Sequence, residues 1–289
     1  MRKCVPLGMM LMVGLMASAA IAQSAIGSAT AHPASQSMTL DLTKLFHARS
    51  AWRFVVTEGS PTQDYGGMNA PGALTLCLHK GPSGPCVSDV VNLPHRKTTP
   101  DEPIAWEPHY LIVARVVYPQ GPEAEPFLLI VTGSLLSGDS DQIVSTLLIT
   151  YDAETDTFRR VFGKSTGRNN NQEIRFIAEG PLRGSVISAE PQERLPYGYW
   201  IVVNRLTATR TYEQVLRYSS ATRYNDGNRL AVIDSEMPNI EQRLGLWKSG
   251  QPLPTPELTG GKPCFKPTLK DTELWCEGRN SELKSTMAQ

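Results

Sequence analysis

The sequence lacks any imbalance of charge: 28 lysines and arginines stand against 28 aspartates and glutamates. Nucleic-acid binders carry a basic patch or stripe, so that class is not indicated, and neither is adhesion to anionic membrane surfaces. Past the first 22 residues there is no long uninterrupted apolar run, so no transmembrane segment is expected in the rest of the chain. Several catalytic and metal-binding signatures are also missing. Neither Gly133-Ser134 nor Gly138-Asp139-Ser140 makes the G-x-S-x-G turn that presents a serine nucleophile, and there is no EF-hand spacing of acidic residues. His32, His47, His79, His95 and His109 are never two or four residues apart. The cysteines lack the close spacing of a zinc knuckle, and no metal or cofactor is expected from these patterns.

What is present begins at the N-terminus. Arg2 and Lys3 precede an apolar stretch from Val5 to Ala19, which closes on Ala20-Ile21-Ala22, a small-x-small pattern read by signal peptidases. Cleavage is expected between Ala22 and Gln23. The alternative, a retained membrane anchor, fits less well. The run falls short of the roughly 20 residues needed to span a bilayer, and Pro6, Gly8 and Gly14 interrupt it. Cys4 lies ahead of the run, where it would leave with the signal, so no acylation is expected. Without Arg2 and Lys3 the balance becomes 26 basic against 28 acidic residues. The chain is expected to be periplasmic or secreted, on the presumption of a bacterial host.

Cys77, Cys86, Cys264 and Cys276 then remain, an even number suited to an oxidising compartment. The local pairings Cys77–Cys86 and Cys264–Cys276 are favoured because each encloses a turn-rich segment. Crossed pairing between the two ends of the chain is the alternative.

The 22 prolines and 23 glycines imply many turns and few long helices. Apolar or alternating runs bounded by turn residues recur along the chain. They include Trp52–Val56, Ala73–Leu78, Cys86–Val91, Tyr110–Tyr118, Phe127–Thr132 and Ile143–Tyr151. Thr157–Phe162, Glu173–Ala178, Ser185–Ala189, Trp200–Leu206, Thr211–Tyr218 and Leu230–Asp234 follow. The fold class is therefore mainly β: a sandwich, barrel or propeller-like array of short antiparallel strands. One helix is expected near 236–248, where Ile240, Leu244 and Trp247 recur at helical spacing, Pro238 sits near the first turn and Gly250 follows the end.

The expected organisation is a signal over 1–22, a flexible leader over 23–37, a mainly β domain over 38–250, and a Pro/Gly linker with a small disulfide-closed appendage over 251–289. Residues 151–162 can also be laid on residues 205–216, an offset of 54 that aligns Thr155 with Thr209, Thr157 with Thr211 and Phe158 with Tyr212. Such a spacing lies near a propeller-blade period. Two unrelated hairpins would show the same likeness, because threonine and aromatics favour strands.

Candidate chemistry is sparse. Ser134 and Ser140 follow glycines in turn-like segments but make no nucleophile motif. Asp152, Glu154 and Asp156 offer hard oxygen ligands in one turn, without a later glutamate to complete a calcium loop. Aromatics are few, at 7%, and the densest cluster, Tyr197, Tyr199 and Trp200, together with Trp106 between prolines, is the candidate ligand platform. In a strand Tyr199 faces away from Tyr197 and Trp200, so core packing competes with that reading.

Three functional readings follow. The favoured one is an exported, non-catalytic β-domain binding an envelope ligand or protein partner. The second is a periplasmic or secreted hydrolase acting on glycan, peptide or ester, with a site assembled by folding. The third is a structural role in a multi-protein envelope assembly.

Overall fold

The computed structural model describes residues 37–91, 107–137, 141–167, 171–192, 198–223, 226–228, 230–254 and 267–276. The expected signal, nearly all of the leader, Trp106, Ser140, Tyr197 and Cys264 lie outside these residues.

The chain is mainly β. Its strands form three four-stranded antiparallel sheets in succession. The first takes β1 (Met38–Asp41), β2 (Trp52–Glu58), β5 (Leu74–Lys80) and β6 (Cys86–Val87), with a hairpin of β3 (Thr62–Gln63) and β4 (Asn69–Ala70) inserted between β2 and β5. The second runs through β7 (Tyr110–Val117), β8 (Phe127–Gly133), β9 (Ile143–Asp152) and β10 (Thr157–Gly167). The third runs through β11 (Glu173–Phe176), β12 (Val186–Pro191), β13 (Gly198–Leu206) and β14 (Tyr212–Arg223). Each is a meander in which neighbouring strands pair antiparallel. The sheets stack as separate layers in chain order and do not close into a barrel.

Alternation along the strands explains the stacking. In β8, Leu128 and Ile130 pack toward the first sheet with Phe54, Leu76 and Leu78. Phe127 and Leu129 pack the other way, with Val186 of the third sheet. A strand buried on both faces needs a continuous apolar run rather than alternation, which is what Phe127–Val131 supplies. In β13, Tyr199, Ile201 and Val203 face the far side of the third sheet, where Val232, Ile233 and Ile240 of helix α1 (Val232–Arg243) cover them. The order of layers is thus sheet, sheet, sheet, helix. The outward face of the first sheet carries polar Thr39, Asp41, Thr57 and Thr75, all exposed, so the stack ends there in water.

The helix departs from expectation. It begins at Val232, in the segment expected to be a strand, and ends at Arg243 rather than near residue 248. Pro238 therefore lies inside the helix instead of in its first turn. The reason is tertiary: Ala231 provides no side-chain cap, and the Glu173 carboxylate of β11 accepts the Ile233 N–H instead at 2.9 Å. Arg175 then bridges Glu173 and Asp234, pinning the first helical turn to the third sheet. The hairpin of β15 (Pro267–Lys270) and β16 (Glu273–Cys276) docks on this helix, with the Leu274 carbonyl accepting from Asn228 Nδ2 at 2.9 Å and Ser235 Oγ at 3.1 Å.

Cys77 and Cys86 are bonded across the β5–β6 turn, with an S–S distance of 2.01 Å. Cys276 is also disulfide-bonded, to a partner outside the described residues.

The offset of 54 has a structural counterpart. Residues 151–162 and 205–216 are the third-to-fourth-strand hairpins of successive sheets. Asp156 (φ 51°) and Arg210 (φ 59°) occupy equivalent left-handed positions. Each reaches back toward the preceding layers with an ion pair, Asp156 to Lys80 at 2.7 Å and Arg210 to Glu125 at 2.5 Å. Each is followed two residues on by an aromatic that packs on the preceding sheet. Phe158 meets Trp52 of β2, and Tyr212 meets Phe162 of β10.

Candidate functional site

One end of the stack gathers loops from all three sheets. The segment after β1 is shaped locally: Asp41 Oδ1 accepts the Thr43 N–H at 2.9 Å, and Leu42 and Phe46 anchor in the core. That leaves Leu45 and His47 exposed, with His47 in the left-handed region at φ 48°. The β7–β8 loop turns at Gly121, whose N–H reaches the Tyr118 carbonyl at 3.2 Å. This loop lies hard against the third sheet at Gly184, where a Cβ atom would stand 2.4 Å from the Pro119 carbonyl oxygen. The β9–β10 turn is set by Asp152 Oδ1, which accepts the Glu154 N–H at 2.9 Å. That bond, followed by the Thr155 hydroxyl, holds the Asp152 carboxyl below its ordinary range.

These loops enclose a cleft of about 810 Å³ whose walls include Leu45, His47, Tyr118, Asp152, Glu154 and Arg210. Its rim is of mixed charge, Glu123, Glu125, Asp152 and Glu154 against Arg159 and Arg210, with Arg210 already committed to Glu125. Tyr118 and Pro122 are shared with a second, smaller groove of about 350 Å³, which runs between the edge strands β7 and β11. The two hollows form one continuous concave surface. Tyr118 and Leu45, each 38% exposed, are its accessible apolar contacts.

The side chains that suggested reaction chemistry are otherwise engaged. Ser134 Oγ donates to the Leu135 carbonyl at 2.9 Å and accepts the Ile143 N–H at 3.0 Å, closing its turn. Ser188 lies 3.2 Å from Lys164 Nζ, an arrangement a serine–lysine dyad would need. Yet Ser188 is fully buried, and both groups bond Glu190, so the trio is a polar peg between the second and third sheets. His79 Nδ1 bonds the Gly84 carbonyl, and His109 Nδ1 the Pro71 carbonyl, each at 2.9 Å. Asp156 cannot serve a calcium ion, because its carboxylate receives Lys80, Ser50, Tyr151 and Trp52. Those donors, Lys80 foremost, hold its carboxyl far below the usual range. Among the described residues no group of three or more His, Cys, Asp or Glu side chains is arranged to hold a metal ion, and no helix is long and apolar enough to cross a membrane.

The aromatic cluster separates as strand alternation requires. Tyr199 is 1% exposed, between the third sheet and the helix. Trp200 is half-buried on the opposite face, with the Arg217 guanidinium 4.0 Å from its ring centroid. The two do not share a platform, and Tyr197 and Trp106 lie outside the described residues. The concave surface instead uses Tyr118 and Leu45, which sequence reasoning passed over. The one signal for it was the segment Tyr118-Pro119-Gln120-Gly121-Pro122, an aromatic beside a rigid turn, a setting in which a ring is easily left outside the core.

The chain matches no protein-family model, and neither curated proteins nor solved structures provide a match.

Proposed function

We propose that this chain is an exported, non-catalytic β-domain of the cell envelope that binds a protein partner through the concave surface at the loop end of its sheets. The observation that carries the reading is the composition of that surface. It is built from loops of all three sheets and offers exposed Tyr118 and Leu45 with charges of both signs, while Ser134, Ser188, His79 and His109 are held by structural hydrogen bonds. Mixed polar walls around a few apolar anchors suit recognition of a protein segment. The Cys77–Cys86 bond supports an oxidising compartment.

The test is capture from an envelope extract by the purified chain, compared with a variant carrying Leu45→Glu and Tyr118→Ala. Both positions are exposed, so the variant is expected to fold normally by circular dichroism. A partner retained by the parent chain and lost by the variant supports the reading. Equal capture by both, or capture by neither, overturns it. Turnover on a panel of glycan, peptide and ester substrates that disappears in His47→Ala would replace it with the hydrolase reading.

A further inference from the structure

We propose that the groove between β7 and β11 binds an extended peptide segment carrying an acidic residue, which adds as a fifth strand along Val113–Val117 of β7, at the edge of the second sheet. This rests on the binding reading above and deepens it by naming the partner's chemistry. Among the described residues β7 pairs with one strand, β8, and forms the edge of its sheet. Alternate backbone N–H and C=O groups of an edge strand point outward, ready for another strand. The register slips between Leu111 and Val113, then runs without interruption from Val113 to Val117. That regular stretch is the part able to template a ladder.

The groove beside it is cationic. Val113 and Val117 pack toward the third sheet, and Arg115, two residues from each, shares their face and lines the groove with Val117, Tyr118, Phe176 and Arg183. Arg183 is held in place by its Nε–H, donated to the Ala178 carbonyl at 3.0 Å, and the residue is exposed. None of the described residues lining the groove is acidic. Two guanidinium groups beside an apolar wall and an open strand edge match a carboxylate flanked by apolar side chains. Arg115 on an otherwise apolar edge also discourages pairing with uncharged strands and with copies bearing the same arginine. An acidic residue placed opposite it turns that deterrent into a cross-strand ion pair. With a side-chain period of two, the complementary pattern is apolar-x-acidic-x-apolar.

The test uses the full chain and a fluorescent peptide of sequence Val-Thr-Glu-Thr-Val, capped at both ends, read by fluorescence anisotropy. Three comparisons accompany it: the same peptide with lysine in place of glutamate, the same peptide with alternate amides N-methylated, and the exposed substitution Arg115→Glu. The expected results are saturable binding of the glutamate peptide, loss on N-methylation, and weakening by roughly tenfold in Arg115→Glu. That variant should in turn prefer the lysine peptide. Absence of binding, equal affinity for both peptides, or indifference to N-methylation each overturn the proposal. If capture from envelope extract still depends on Leu45 and Tyr118 while the peptide fails, only this inference falls. If both fail, the binding reading falls with it.

Discussion

The stacking of the sheets predicts an unusually costly substitution at Phe158. Its ring is 5% exposed and touches three other aromatic rings, with centroids 5.1 Å from Phe46, 5.2 Å from Trp52 and 5.3 Å from Tyr151. Two of these belong to the first sheet and its loop, so the ring is the bolt between first and second layers. Truncating a buried phenylalanine costs about 3–5 kcal/mol through lost transfer energy and the cavity left behind. Each aromatic pair adds about 0.5–1.5 kcal/mol beyond area burial. With the low end of both ranges applied to three pairs, Phe158→Ala should lose about 4–5 kcal/mol. Against a total stability of about 5–15 kcal/mol, that leaves a marginal fold. Urea titration by tryptophan fluorescence measures it, since Trp52 sits beside the deleted ring, with circular dichroism as the second probe. Phe158→Leu, which keeps most of the volume, should lose only about 1–2 kcal/mol. A loss below about 2 kcal/mol for the alanine variant, less than a core truncation costs, would refute the argument that this contact welds two layers.

Replacing Cys77 and Cys86 together by alanine opens a loop with a sequence separation of 9, for which chain entropy gives a loss of about 2.7 kcal/mol. No change in urea midpoint, or a loss near twice that size, would contradict it. Glu273 is buried, and desolvation raises its carboxyl above the ordinary 4.5, so its ionisation opposes folding as pH rises from 4.5. Glu273→Gln should therefore raise Tm at pH 7 and have no benefit at pH 4, measured by thermal melts at both values. Asp156 has the opposite sign: its carboxyl is held below the ordinary 3.8, mainly by Lys80, so it stabilises above 3.8 and loses this as pH falls further. Asp156→Asn should lower Tm at pH 7, with the difference shrinking below pH 3.8 in the same melts. Gly184→Ala places a methyl 2.4 Å from the Pro119 carbonyl at φ 75°; it should cost about 2–4 kcal/mol and impair peptide binding in the adjoining groove.

Much of the fold was legible because period-two patterns and turn residues act over a few positions. Phe127–Thr132 and Ile143–Tyr151 announced β8 and β9 almost to the residue, and the turn between Cys77 and Cys86 announced their bond. The helix was misplaced because its N-terminus is capped from Glu173, about 60 residues away, which no local pattern reveals. The hairpin repeat was visible in Thr155/Thr209 and Phe158/Tyr212, but its meaning depended on layers that only assemble in space.

The site was less legible. Tyr199 and Trp200 attracted notice through density of aromatics, yet alternation sends one into the core and the other beneath Arg217. Tyr118, Arg115 and Arg183 carry no motif and become neighbours only when the second and third sheets stack.

By itself, then, the sequence determined a mainly β chain with a local disulfide and a surface of balanced charge, because strand periodicity, loop closure and composition are properties of short segments. The tertiary structure alone decided which sheet covers which, where the helix starts, and that loops from three sheets converge on one concave surface. Those outcomes depend on apolar faces and capping groups far apart in the chain finding one another, and their energies exist only after the layers have met.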